Sequence, residues 1–426
     1  MHRLASGIGL LAVVTLVAAA CSPAPPESDQ LLVFGPYIGA EADIFGEVVN
    51  SFEDSTGVRV RYVGTASFVD DFAERVATAD LPDVAIFPQP EPIPGLAAGG
   101  DLKPLDVDSS NQVRDTIGDS WQLAQDEDAR FLAVPYRIVV KSLVWFRSDV
   151  FGEEGYEVPA TLEELESLSA DMISDGYTPW CAGMDDYSAT GWWGTDWVED
   201  LVLRQAGPTA YEQWGSLETP FSDESIVRAM ETFDRMLSTR GAVAGGRRSI
   251  LSTPVRSAMD PMFDTDGGDP GCLMFKQASF QAGFLPSGVS FGDGRLDVFP
   301  LPPVKAEPAP LLLSGELAGA LSDAPAATQF LLHLLSDEAA DPWRALGGTL
   351  VLRADEHQLE KLPPLDRFLV RLIEQAPAVE FDASDLMPRS IGSGAFWQGM
   401  IDLVAGDSAA AVAARVDQAV AELESQ

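Results

Sequence analysis

Four of the nine tryptophans, Trp180, Trp192, Trp193 and Trp197, are crowded into one short stretch. Tryptophan is large, rigid and half polar, so its ring can cover the apolar C–H face of a pyranose while polar neighbours take the rim hydroxyls. Within Gly191-Trp192-Trp193-Gly194-Thr195-Asp196-Trp197, Asp196 supplies an acceptor for such hydroxyls. Lys276 interrupts the apolar run Leu273-Met274-Phe275 and leads into Gln277-Ala278-Ser279-Phe280, so it is a candidate donor, with Phe280 beside it. Arg137 and Lys141 are further donors, and Tyr37 and Gln89 follow runs that read as strands. Each has an ordinary reading as well: a tryptophan in a core, a lysine paired with one of many acids, a glutamine on an exposed loop. The cluster is more telling than its members.

Catalytic groupings are scarce. The three histidines, His2, His333 and His357, are scattered, and no Cys or His spacing suits zinc. No phosphate-cradling glycine loop precedes a Lys-Ser or Lys-Thr. Asp and Glu number 66, so a glycosidase pair has no signal for or against it in the counts. The residues therefore point to binding and away from catalysis, with no metal and no cofactor expected.

The elements that must hold these residues can be read from periodicity. Leu31-Leu32-Val33-Phe34 is a buried strand ending at Gly35-Pro36, and Ile44, Phe45, Val48, Val49 and Phe52 line a helix stopped by Gly57. Val58 to Tyr62 reads as a second strand, Phe68, Phe72 and Val76 as a second helix, and Asp83 to Phe87 as a third strand. Strands alternating with helices imply crossovers and a mainly parallel sheet. Thr161 with Glu164 has the spacing of a capping box at the head of a helix lined by Leu162, Leu165, Leu168 and Met172. Further helices are expected from Ile226 to Leu237, Ala326 to Leu335 and Ala409 to Leu423, while Trp192 to Trp197 reads as a loop leading into a helix. The segment from Phe131 to Phe146 is expected to cross between domains.

The start of the chain resembles an export signal: Arg3, an apolar run from Ile8 to Val17, then Ala18-Ala19-Ala20 before Cys21. Small residues before a cysteine resemble a bacterial lipobox, which would leave Cys21 lipidated, with 1–20 as signal peptide and 21–28 as a proline-rich tether. Cleavage that leaves Cys21 as a free thiol is the other reading. The remaining length suits two domains. A net charge of −39 argues against nucleic acid, whose phosphates need Lys and Arg, and is consistent with a solvated acidic surface. With Cys21 lipidated, Cys181 and Cys272 remain, either as a disulfide in an oxidising compartment or as two buried thiols.

Several segments in order resemble the extracellular carbohydrate-binding proteins of ABC importers, related to the maltose-binding protein. They are Thr56-Gly57-Val58, Leu81-Pro82-Asp83-Val84-Ala85, Ala133-Val134-Pro135-Tyr136, Gly315 to Ala320, and Met387-Pro388 followed by Gly394-Ala395-Phe396-Trp397. The Trp192 to Asp200 segment and Lys276 to Phe280 look closer to the α-glucoside branch, although Trp193 and Phe275 depart from its usual Pro and His. The resemblance implies an α/β, two-lobed periplasmic-binding-protein type II fold with a ligand cleft between the lobes. It places lobe 1 at 29–140 plus 298–338 and lobe 2 at 141–297 plus 339–426. It also implies that Trp397 stacks on sugar, that the Trp192 to Trp197 loop lines the cleft from lobe 2 and that Gln89 lines it from lobe 1. The expected protein is an extracytoplasmic, lipid-anchored monomer that delivers a carbohydrate to permease subunits. A secreted glycan-active enzyme and a sugar sensor or adhesin of the same fold are the alternatives.

Overall fold

The computed structural model describes residues 30–117, 124–263, 268–350 and 360–425. The Cys21 processing site and its tether lie outside the described residues, as do His2 and His357. Among the described residues, nine strands form two sheets: β1 (Gln30–Gly35), β2 (Arg59–Gly64), β3 (Val84–Phe87), β4 (Val134–Val140), β5 (Leu143–Arg147), β6 (Met274–Lys276), β7 (Leu296–Pro300), β8 (Leu311–Ala320) and β9 (Val379–Phe381).

The larger sheet runs β2-β1-β3-β8-β4, with β9 alongside β8. The β2-β1-β3 half is parallel, as the alternation of strands and helices predicts. Next to it β8 pairs antiparallel with both β3 and β4. It returns to this sheet from the other lobe, so no helical crossover sets its direction. The smaller sheet, β6-β5-β7, is antiparallel throughout.

Local signals explain the elements that flank the sheets. The helix Ala40–Thr56 buries Phe45, Val48, Val49 and Phe52 and stops at Gly57, whose φ of 74° is left-handed and costs glycine little. Thr161 caps the helix Leu162–Asp175 by accepting from the Glu164 amide at 3.2 Å. The reciprocal bond goes one residue further back, from the Ala160 amide to the Glu164 carboxylate at 2.7 Å. The tryptophan-rich stretch is not a loop: the helix Trp192–Ala206 begins at Trp192 itself.

Two separate cores define two lobes. Val33, Phe45, Phe52, Phe87, Tyr136, Leu317, Phe330 and Trp343 belong to the first. Trp145, Trp180, Trp193, Trp197, Phe233, Phe275 and Phe396 belong to the second. Two boundaries differ from the sequence reading. β7 runs into the span expected for lobe 1 at Val298, but it pairs with β5, and Val298 and Phe299 pack in the second core. The helix Asp337–Leu346 runs past residue 338, where lobe 1 was expected to end, and buries Ala339 and Trp343 in the first core.

The chain passes between the lobes at Lys141-Ser142, within β8, and at Gly347 to Leu350. Leu311 and Leu312 of β8 pack in the second core and Leu317 and Ala318 in the first. Leu350 exchanges backbone hydrogen bonds of 3.0 and 2.9 Å with Ile138. Of the two readings for Cys181 and Cys272, the disulfide is the one that forms, with Cα atoms 5.2 Å apart in the second core. Among the described residues, no helix is long and apolar enough to cross a membrane.

Candidate ligand-binding cleft

A cleft of about 1130 Å³, counting its open mouth, lies between the lobes. Of the residues singled out in the sequence, Tyr37, Gln89, Arg137, Lys141, Trp192, Phe280 and Trp397 line it.

The first lobe supplies its wall from strands and strand ends. Tyr37 follows β1, and its ring packs 5.1 Å from Phe45 and 5.2 Å from Trp343 while its hydroxyl donates to Glu316 Oε2 at 3.1 Å. The pairing of β4 with β8 shifts register between Pro135 and Arg137, a bulge that sets Arg137 opposite Glu316. The guanidinium lies 3.8 Å over the Trp343 ring and reaches Glu41 at 3.2 Å and Glu316 at 3.4 Å. Burial works against the charge on Arg137, but Glu316, Tyr37 and Glu41 outweigh it and hold its pKa above the ordinary value. Burial pushes the Glu316 carboxyl up to about 7 although Arg137 pulls it down. Gln89 enters from the turn after β3.

The second lobe supplies its wall from helix starts and from the chain crossing. Trp192 is the first residue of its helix; its indole N–H donates to Asp186 at 3.0 Å and its ring lies 6.0 Å from Phe280. Trp397 opens the helix Trp397–Ala405 directly after a π-helical turn, Ser390–Phe396. Its buried indole N–H has no hydrogen-bond partner among the described residues. Gly191 passes so close that a Cβ there would meet the Trp397 carbonyl oxygen at 2.5 Å, and its φ is +121°. Only glycine fits both demands.

Lys141, on the crossing, donates to Asp196 at 2.8 Å and to Asp382 at 2.5 Å, with Asp385 at 3.9 Å. Burial disfavours its charge, but the three carboxylates together raise its pKa. Burial raises Asp196 to about 6 despite Lys141. Asp385 is pushed up to about 8 by burial and by Asp382, while Ser314 donates to it at 2.7 Å. Asp382 goes the other way, because Lys141, Ser384 and the Asp385 amide overcome the effect of its burial.

Four expected site residues do not line the cleft. Helical spacing turns Trp193 and Trp197, four residues apart, to one face, and that face is the core. Trp193 donates to the Lys276 carbonyl at 2.9 Å and stacks on Phe275, and Trp197 packs 5.2 Å from Trp180. Asp196 lies behind the wall as the partner of Lys141. Lys276 is buried, donates to the Asp196 carbonyl at 2.9 Å and approaches Asp200 at 3.4 Å. Burial lowers its pKa even against Asp200 and Asp196. It ties the Trp192–Ala206 helix to β6.

Glu41, Asp186, Arg256, Ser314, Glu316 and Asp385 line the cleft without having been singled out. Glu316 carried a usable signal, because it interrupts an apolar run as Lys276 does. Gly288-Val289-Ser290-Phe291-Gly292 has the spacing of a hydrolase nucleophile elbow. It sits in the turn before β7, and the Ser290 amide bonds to Asp293, so the strand-to-helix setting of an elbow is missing. Among the described residues, no group of His, Cys, Asp and Glu is arranged to hold a metal ion.

The chemistry of the cleft is therefore one of paired cations, with carboxylates in excess. Arg137 is paired with Glu41 and Glu316, Lys141 with three aspartates, and Arg256 lies 3.9 Å from Asp186. With aromatic faces between them, such groups suit a neutral solute with many hydroxyls better than an anion.

The profile of the bacterial extracellular solute-binding protein family matches residues 38–244. The osmoprotective compounds-binding protein GgtB of Synechocystis sp. is 36% identical over 380 residues, covering 88% of this chain and 89% of its own. The alpha-glucosides-binding periplasmic protein AglE of Rhizobium meliloti is 37% identical over 404 residues, covering 92% of this chain and 87% of its own. The chain belongs to the bacterial extracellular solute-binding protein family. The fold agrees: a chitin oligosaccharide binding protein superposes with a TM-score of 0.79 at 14% identity, over 93% of this chain and 100% of that one.

Proposed function

We propose that this protein binds a carbohydrate in the interlobe cleft, with α-linked glucose units as the expected ligand, and delivers it to the permease subunits of an ABC importer. It acts outside the cytoplasm as a monomer, held to the membrane by a lipid on Cys21, and carries out no chemistry on its ligand. The observation that carries the reading is the pairing of every cation named in the cleft with a carboxylate, next to Trp192, Phe280 and Trp397. The two relatives above, one named for α-glucosides, support the choice of sugar. Closing the lobes around a ligand would shift the population toward the state in which both walls touch it.

A thermal-shift panel of maltose, trehalose, sucrose, longer α-glucans, amino acids and metal ions tests this. A true ligand at about 100 times its Kd stabilises the fold by about 2.7 kcal/mol. A shift with an amino acid or a metal but with no carbohydrate would overturn the proposal. Turnover of a chromogenic glycoside would overturn the non-catalytic part. Metabolic labelling with a fatty acid, compared with Cys21→Ala, tests the anchor.

A further inference from the structure

Beside the cleft runs a second groove of about 1050 Å³ that shares Phe68, Val69 and Gln89 with it, so the two adjoin. Its chemistry is different. One wall is the helix Phe68–Thr78, presenting Phe72, Ala73, Val76 and Ala77, and Leu96 of the helix Pro92–Gly99 adds to it. Met387 and Ser393 contribute from the other lobe. Val76 is 38% exposed, an apolar residue on an apolar face that none of the described residues covers. Arg389, which also lines the groove, reaches Asp70 across the lobes at 2.5 Å.

We infer that this groove takes an alkyl or aryl aglycone, the apolar non-sugar part of a glycoside whose sugar occupies the cleft. The inference rests on the carbohydrate reading of that cleft. Along the helix wall, Ala73, Val76 and Ala77 offer the hydroxyls of a second sugar unit no side-chain partner; the polar groups of the lining, Gln89, Glu91, Asp101, Ser384, Arg389 and Ser393, stand on other segments. A hydrocarbon gains there what a hydroxyl loses. Because the groove adjoins the cleft, both parts can belong to one molecule, and the apolar part needs no separate binding event.

Titration calorimetry of the mature protein with methyl, butyl and hexyl α-D-glucoside tests the inference. The Kd falls by roughly two- to fourfold for each methylene that leaves water. Val76→Asp, at a half-exposed position, removes the gain for hexyl glucoside and leaves methyl glucoside unchanged. Equal affinity for methyl and hexyl glucosides in the wild type would overturn the inference while leaving the sugar site standing. A gain that survives Val76→Asp would overturn the placement. Failure of all three to bind would overturn both the inference and the α-glucoside reading beneath it.

Discussion

The two lobes build their halves of the cleft by different means. In the first lobe, Tyr37 and Gln89 follow the ends of β1 and β3, and Arg137 and Glu316 face each other on paired strands. A five-strand run of sheet fixes those positions, over a core of packed aromatic rings. In the second lobe the sheet has only three strands, and the cleft groups stand on helix starts, Trp192 and Trp397, and on a chain crossing, Lys141. There the anchoring comes from a disulfide and from buried ion pairs, Lys141 with Asp196 and Asp382, and Arg204 and Lys276 with Asp200. A wall taken from sheet strands is positioned by the sheet, whereas a wall taken from helix starts and crossings needs explicit ties.

Cutting the ties should therefore damage one lobe and spare the other. The largest effect is expected from replacing Cys181 and Cys272 together with Ala. The bridge spans a sequence separation of 91, and its loss should cost about 4–5 kcal/mol by the loop-entropy argument. Hydrogen exchange should show lost protection in β5, β6 and β7 but not in β1, β2 and β3; equal losses in both sheets would break the comparison. Next comes Lys141→Met, which strands Asp196 and Asp382 without their cation and should cost about 3–5 kcal/mol by urea denaturation. Lys276→Met should cost less, since Asp200 keeps Arg204 and Ser142.

Adjacent tryptophans sharpen the contrast further. Trp192→Ala should weaken sugar binding by about tenfold with little change in stability, and Trp193→Ala should do the reverse. A different kind of test is the pH dependence of the ligand-free protein. Asp196, Glu316 and Asp385 are raised to about 6, 7 and 8, so the folded state holds protons that the unfolded chain has released. Their contribution is full below about pH 4 and is lost as pH rises through those values. Lys141, with its pKa raised, stays charged through this range, and Asp382, lowered, acts only at lower pH. The urea midpoint should fall between pH 5 and pH 8, and Asp385→Asn should flatten the fall; a midpoint that rises would contradict the assignment.

Much of the first lobe was legible in the sequence, because its elements follow one another and carry local signals: β1, the helix ended by Gly57, β2 and β3 in order. The antiparallel place of β8 was not legible, since no local pattern records which distant strands it will join. In the second lobe the tryptophan cluster marked a segment that reaches the cleft through Trp192, but with the wrong secondary structure. Two glycines in it suggested a loop, but Gly191 is the residue before the helix and Gly194 lies in its first turn against Met400. Once that helix is in place, its period decides which rings face the cleft and which the core. The carboxylates of the site, Glu41, Asp186 and Asp385, were hidden by their own abundance among 66 acidic residues.

The placing of β8 also sets the order in which the molecule can assemble. Between β3 and β4 the first sheet has a slot that only Leu311–Ala320 fills, and those residues come after most of the second lobe. Until they arrive, β3 and β4 each keep an open edge with no partner on the inner side. Closing that slot joins residues far apart in sequence, which raises the contact order and slows folding. The first lobe, begun earliest, is finished late.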